Sequence, residues 1–580
     1  MKMINRAATR KHPRSVFDLS HHHKTTFDVD YLIPIYAEET LPNEDFSVKL
    51  AAFARSATPE FPFMDNLHFN TFFFAVPLRL LYDDFTKMMG EQKNPGDSTD
   101  FITPYFYVNT DTDVTVGSLS HYLAIPPNTP IGDSSLNPEA GISSWWHRAY
   151  NLIWNEHFRD QNLQDAVYFD SSQPTDDLAN YSLLRRGKRY DYFTSCLPTP
   201  QKGFAVETPL VGDASISGQA YISGIGVNTS GPVSDVISNT SVYDAASGGT
   251  TTYPNVRRVK VDSGSTGLNI RTTDSTGNVL DAYADFDAAN STATADLSTA
   301  SGITIEALRE SIALQSVFEN DANGGTRYIE QNYHRFGAVS SDRSLQRPEY
   351  IGGSKTSVHY HPVAQTSAGK VGDFDASPQG NVAAFGTLAF DANAGHGFTY
   401  HSEEHCVILG LMCITADLTY HQGVHKKFLR RTRFDYYHPE FANLGDQEVY
   451  NVELFVQGTI DDAVDPTNPN AIFGYNRAYE SYKSRPSMLS GYFTPSREDS
   501  NTSSPYYSDL SVWHLAQIFD SVPVLGSEWI ESNTPFDRVV AVPGNPDQDP
   551  IPDFIFDGFF AVRAARCMPM YAIPATLDRF

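Results

Sequence analysis

Apolar side chains in the first part of the chain fall into short runs with the two-residue beat of strands. YLIPIY (residues 31–36) and HFNTFFFAV (68–76) are rich in aromatic and β-branched positions, with Pro34, Pro42, Pro59, Pro62 and Pro77 set in and between such runs. Proline cannot donate to a sheet ladder, so it marks edges, bends and strand ends. The pattern predicts a β-sandwich with long excursions. The beat returns in VILGLMCITADLTY, YNVELFVQG and DFIFDGFFAVRAARCMPMYAIP, where Phe554, Phe556, Phe560 and Val562 share one face. CVILGLMCITA (406–416) is apolar almost throughout, which fits a strand buried on both faces and is too short for a membrane-spanning helix.

Helical spacing appears twice. Over 144–162, Trp146, Tyr150, Ile153, Trp154, His157 and Phe158 make one apolar stripe, with Ser143 or Ser144 placed to cap it. Trp145, Trp146 and Trp154 suit either core packing or a subunit contact. Over 305–318, Ile305, Leu308 and Ile312 form a second stripe, with Glu306 favourably in the first turn. No repeat of solenoid period is present.

Between 211 and 302 the composition shifts to Gly, Ser, Thr, Ala and Asp, with nine acidic residues against Arg257, Arg258, Lys260 and Arg271. Such a segment cannot build a large core. Alternation in VRRVKVDS and LNIRTT predicts a compact surface insertion with weak hairpins, a flexible linker being the alternative. The expected organisation is therefore a basic arm over 1–27, a β-rich part with loop helices over 28–210, the insertion over 211–302, and a second β-rich part with the carboxyl-terminal segment over 303–580.

Charge narrows the function classes. The 580 residues carry a formal charge of −27, with 41% hydrophobic and 13% aromatic residues. Length alone would allow about four domains, although all-β folds absorb more sequence into one. A chain this acidic does not grip nucleic acid with its whole surface, so any polyanion must meet a local basic patch. The arm supplies one: Lys2, Arg6, Arg10, Lys11, Arg14 and Lys24 against Asp18 alone. Cys196, Cys406, Cys413 and Cys567 are too few and too scattered for a disulfide framework. On a shared strand, Cys406 and Cys413 would point to opposite faces. MKMINRAATRKHPRSVFDLS has no apolar core of a secretory signal, so the expectation is a soluble chain made in the cytosol.

Catalytic motifs are missing. No two glycines stand four apart, which removes the GxSxG elbow, and no Gly-Lys pair completes a GxxxxGK loop. Gly224 and Gly226 begin a dinucleotide fingerprint that Thr229 ends. Three histidine groupings remain: His21, His22 and His23 in the arm, His359 with His361, and HSEEHC. In HSEEHC a strand would set His401 and His405 about 13 Å apart, too far for one zinc ion. Glu403 with Glu404, and Asp461 with Asp462, are better read as solvated turns than as acid/base pairs.

Two basic clusters interleave with rings. LLRRGKRYDYF offers Arg185, Arg186, Lys188 and Arg189 beside Tyr190, Tyr192 and Phe193. HKKFLRRTRFDYYH offers Lys426, Lys427, Arg430, Arg431 and Arg433 beside Phe428, Phe434, Tyr436 and Tyr437. Cations can track phosphates while rings stack on unpaired bases, which favours a single strand. Intersubunit salt bridging or a charged strand rim is the competing reading. A sugar-binding or sugar-cleaving sandwich is a second function class, suggested by Trp145, Trp146, Trp513, Trp529 and many tyrosines.

FARSATPEFPFMDNLHFNTFFFAVPLRLLYDDF followed by MMGEQKNPGDS resembles the major capsid proteins of the microviruses, small tailless single-stranded DNA bacteriophages, and most closely the gokushovirus branch. The likeness continues in YNLIWNEHFRDQNLQD, RRGKRYDYFTSCLPTPQKG, YYHPEFANLGDQEV, WHLAQIFDS, DRVVAV and CMPMYAIPATLDRF. It implies a mainly β fold: an eight-stranded antiparallel jelly-roll β-sandwich with long loop insertions and a few short helices. It also implies sixty copies in a T=1 icosahedral shell around a circular single-stranded DNA genome, assembled in the host bacterial cytoplasm, with no enzymatic activity, cofactor or membrane insertion. Implied partners are further copies, the genome, scaffolding, DNA-pilot and small basic DNA-binding virion proteins, and a host receptor or glycan met by threefold protrusions formed from the insertion.

Overall fold

The computed structural model describes residues 13–59, 64–131, 141–203, 305–337, 346–363, 383–390, 394–442, 445–456, 471–494, 510–540 and 551–571, with short segments between 206 and 296 and between 370 and 375. The chain divides into two compact units, Met1–Gly203 with Phe318–Phe580, and Phe204–Val317.

In the larger unit the strands of four residues or more are β1 (Ser15–Asp18), β2 (His21–Phe27), β3 (Ile33–Thr40), β4 (Glu44–Ser56), β5 (Leu67–Pro77), β6 (Glu349–Gly352), β7 (Lys355–Val363), β8 (Ala383–Phe390), β9 (Gly397–Ser402), β10 (Cys406–Ala416), β11 (Asp446–Tyr450), β12 (Ile472–Arg477) and β13 (Phe554–Arg566). One sheet runs β1 and β2, then β13, then β4, with β8 and β9 pairing end to end along the far edge of β4. The other runs β3, β10, β5, with β6 and β7 along the far edge of β5. Counting collinear pieces as one strand, each sheet is four wide. The β7–β8 and β6–β9 ladders join the two at their rims, and every one of these pairings is antiparallel.

Alternation explains the sandwich. In β4, Phe46, Val48, Leu50, Ala52 and Ala54 are buried while Asp45, Lys49, Phe53 and Arg55 are exposed. In β13, Phe554, Phe556, Phe560 and Val562 point inward as the sequence pattern predicts, and meet Phe69, Phe73, Met412 and Ile414 of the other sheet. Truncating a ring such as Phe556 to Ala is expected to cost about 3–5 kcal/mol.

β10 is buried on both faces, as its unbroken apolar run predicts. Ile408, Met412 and Ile414 enter the sandwich core, whereas Val407, Leu409, Leu411 and Cys413 lie on the opposite side under a helix. Cys406 and Cys413, at the start and near the end of this strand, are both buried and free. Gly410 is required by close approach: a Cβ there would sit 2.7 Å from the Phe73 ring and 2.8 Å from Tyr36.

That covering helix, α1 (Trp145–Ile153), presents Trp145, Ala149, Tyr150 and Ile153 to the outer side of β10. It continues as a π-helical turn, Trp154–Phe158, and stops short of the expected Asn162. Asp160 ends it: its carboxylate accepts from the Asn162 N–H at 2.9 Å and its own N–H donates to Gln164 at 3.0 Å. Ser144 occupies the N-cap without capping; its hydroxyl donates to Asp176 instead. Arg148, fully buried, binds the same Asp176 at 2.7 Å and the Leu81 carbonyl at 2.9 Å. Removing either partner of that pair is expected to cost about 3–5 kcal/mol.

Helix α2 (Ile305–Asn323) is longer than its sequence stripe, and the stripe is not core: Ile305, Leu308 and Ile312 are 70%, 45% and 60% exposed. Helix α3 (Tyr328–Phe336) follows. Within the smaller unit, Arg271–Thr273, Val279–Phe286 and Ile222–Val227 form a three-stranded antiparallel sheet, and Thr294–Asp296 pairs with Ser215–Ser217. The VRRVKVDS segment lies outside the described residues.

Candidate nucleic-acid interface

After β10 the chain enters a loop of three tight turns, Lys426–Phe428, Arg433–Asp435 and Pro439–Phe441. Each turn has a local cause. His425 Nδ1 accepts from the Lys427 N–H at 3.1 Å; the Asp435 carboxylate accepts from the N–H groups of Arg431 and Thr432 at 2.8 and 2.7 Å; Pro439 opens the third. Those two backbone donors, Thr432 foremost, hold the Asp435 carboxyl below its usual range.

Beside the loop, the antiparallel hairpin of β11 and β12 completes a cleft of about 650 Å³. Lys426, Arg430, Arg431, Phe434, Tyr450 and Tyr479 line it. Lys426 and Arg430 are anchored. Lys426 donates to the Glu448 carbonyl at 2.6 Å and stands 3.8 Å from buried Glu453, whose carboxyl is raised by burial. Arg430 lies 4.0 Å from the Tyr482 ring centre and donates to Ser481 at 3.0 Å. Lys427, Arg431 and Arg433 are exposed, with Phe428, Phe434, Tyr436 and Tyr437 exposed among them. Tyr479 holds a left-handed backbone (φ 57) and meets Tyr437 edge-on at 5.0 Å. Non-glycine residues in that region cost of order 1 kcal/mol and persist only where surroundings enforce them. The cleft thus joins loop residues to Tyr450 and Tyr479, which no local sequence signal connects to it.

The first cluster sits differently. Arg185 donates to Asn533 at 3.0 Å and to Tyr31 at 3.1 Å, and covers the Tyr31 ring at 4.7 Å. Arg186 stacks 5.1 Å over Phe72. Lys188 lies 4.2 Å over Trp529, and burial draws its ammonium down to about 8. Arg189 reaches Asp417, Asn70 and Thr415, each at 3.5 Å. Tyr192 and Phe193 are core residues; only Tyr190, 78% exposed, faces solvent.

Of the arm, Lys2, Arg6, Arg10 and Lys11 lie outside the described residues. Arg14 pairs with Asp45, and residues 15–18 and 21–27 are strands along β13 rather than a frayed end. The HSEEHC segment is a turn between β9 and β10, not one strand: His401 bonds Asp45 at 2.7 Å while the His405 ring packs against Phe85. Among the described residues no three His, Cys, Asp or Glu side chains gather as a metal set. Trp145 and Trp529 are each 4% exposed, so neither presents a ring face to a sugar.

The fold is thus a wide antiparallel sandwich that carries an exposed basic loop set with aromatic rings. The chain belongs to the capsid protein (F protein) family, whose model matches residues 6–576. It is 36% identical to capsid protein VP1 of Bdellovibrio phage phiMH2K over 98% of this chain and 96% of that one. Identity to capsid protein VP1 of Chlamydia phage 1 is 36%, over 97% of this chain and 95% of the relative. For capsid protein VP1 of Spiroplasma virus 4 it is 31%, again over 97% and 95%. The protein is therefore a structural capsid component of a virion, not an enzyme.

Proposed function

We propose that sixty copies of this chain close into a T=1 icosahedral shell around a circular single-stranded DNA genome. The observation that carries the reading is the capsid-family match across residues 6–576. At −27 per copy the shell repels a polyanion on average, so the genome must be met by local basic surface, with small cations or a small basic virion protein supplying further counter-charge. The loop bearing Lys427, Arg431 and Arg433 is the strongest such surface among the described residues, and the arm's Lys2, Arg6, Arg10 and Lys11 join it by charge. Residues 211–302, within the separate unit Phe204–Val317, form outer protrusions that meet a host receptor or glycan. Scaffolding and DNA-pilot proteins complete the assembly. No helix among the described residues is long and apolar enough to cross a membrane.

Electron microscopy of the chain co-expressed with its scaffolding partner tests the reading. Closed shells of sixty copies are expected. Monomers across a range of salt and pH, or open sheets and tubes, would overturn it.

A further inference from the structure

The two outer faces of the sandwich are treated unequally. On the β10 sheet the outer face disappears beneath α1 and its neighbours. On the β13–β4 sheet it stays open: Phe53 is 50%, Ile555 58% and Phe559 38% exposed. An exposed aromatic on a strand is an unusual use of a large apolar side chain unless a partner covers it.

Register shows what surrounds these rings. Phe53 of β4 stands opposite Asp557 of β13, and Phe559 opposite Ala51. The rings are therefore diagonal neighbours, about 7–8 Å apart by sheet geometry. Along β4, the same face carries Lys49 and Arg55 on either side of Phe53; along β13 it carries Arg563 beyond Phe559. Across from Asp557 on β2 comes Lys24, and across from Phe559 comes His22, whose tilted ring meets one side of Phe559 at 4.8 Å.

Acids on this face already have partners. Asp557 has Lys24 at 3.5 Å, Asp45 has Arg14 and His401, and Asp18 binds Ser20 opposite Arg563. Lys49 makes no ion pair among the described residues. Lys49 and Arg563 set positive charge on this face of a chain of net charge −27.

We propose that the open face of β2, β13, β4 and β8 is a stacking platform for single-stranded DNA, with Phe53 and Phe559 as base-stacking rings and Lys49 and Arg563 on the phosphates. The assignment rests on the proposed enclosure of a single-stranded genome and locates one contact surface for it. Charge decides between occupants. Rings interleaved with cations match a single strand, whose bases stack while its backbone seeks positive charge, and open sheets elsewhere stack roughly two or three bases on such rings. The centre of a protein interface is instead depleted of lysine.

Two measurements test it. In purified particles, ultraviolet cross-linking followed by peptide mapping should find DNA attached within 49–55 and 555–563. Adducts elsewhere in the chain but not there would overturn the platform while leaving the genome reading intact; no adduct anywhere in the chain would overturn both. With full-length subunits and a dT oligonucleotide, Phe53→Ala and Phe559→Ala should each weaken binding about tenfold, Phe53→Tyr should restore it, and thermal stability should stay near wild type. Unchanged oligonucleotide binding with impaired DNA-free shell closure would instead make this face a contact with a second copy.

Discussion

Arg185 to Arg189 and Lys426 to Arg433 carry one signature, cations set among aromatic rings, and the fold gives them opposite fates. In the first, the partners come from far along the chain: Arg189 and Asp417 are 228 residues apart, Arg185 and Asn533 348. In the second, Lys426 and Arg430 are anchored by later residues, but the exposed cations have adjacent partners: Lys427 lies over Phe428 at 4.7 Å and Arg433 over Phe434 at 4.5 Å. Distant partners draw these side chains inward, onto Tyr31, Phe72, Trp529 and Asp417. Adjacent partners leave both cation and ring on the surface, available to a ligand. A basic-aromatic cluster therefore reports binding only after its tertiary partners are known.

The largest effect should come from breaking the first cluster. Arg186→Glu with Arg189→Glu places acids against Phe72 and Asp417, and is expected to cost about 1–3 kcal/mol for the acid left against the ring and about 1 kcal/mol more for the half-exposed pair. Thermal unfolding and the yield of soluble subunit measure it. Folded protein with wild-type melting but reduced DNA content would return this cluster to the genome-binding surface.

Next in size is the carboxyl cluster beside Arg185. Asp553 accepts from the Val29 N–H at 3.0 Å and, by burial first and the nearby Asp28, Asp537 and Asp30 after it, is raised to about 7. The unfolded group titrates near 3.8, so between 3.8 and about 7 the folded state holds the extra proton and stability falls as pH rises. Asp553→Asn keeps the acceptor and stays neutral. Its melting temperature should exceed wild type by up to the equivalent of about 4 kcal/mol at pH 8 and match it at pH 4. Equal gaps at both pH values would remove the titration from the account.

Much of the fold is legible in the sequence because strand burial is written at a two-residue period: the inward Phe554, Phe556 and Phe560, and the doubly buried 406–416 run, need no tertiary knowledge. Ile305, Leu308 and Ile312 keep helical spacing yet are exposed, because periodicity marks an amphipathic face without naming what covers it. HSEEHC misleads for a related reason: the rise of a strand does not hold across a turn. Of the candidate interface, the loop cations are visible in sequence. Tyr450 and Tyr479 are not, since only the packing of β11 and of the residues after β12 beside the loop brings them to the cleft.

A smaller effect is expected at the second cluster. Arg431→Ala with Arg433→Ala should leave melting within about 0.5 kcal/mol of wild type, as for exposed positions. Single-strand affinity should fall, and the slope of log affinity against log salt should flatten by about 1.4, roughly 0.7 for each phosphate that an arginine no longer neutralises. An unchanged slope would mean that this loop, despite its exposure, touches no backbone.

A last comparison isolates one buried cation. Lys188, over Trp529, is drawn by burial from 10.5 to about 8, so the folded state disfavours its charge. Between about 8 and 10.5 the unfolded state binds the extra proton, and stability rises with pH across that window. Below it the penalty is constant. Lys188→Met keeps the apolar stem against the indole and removes the charge, so the variant should be more stable by up to about 3 kcal/mol at pH 7, the gap closing toward pH 10. If the gap stayed level from pH 7 to 10, or if Lys188→Met melted below wild type, the ammonium over Trp529 would be a net attraction, and the first cluster would owe its position to cation–π contact more than to its distant polar partners.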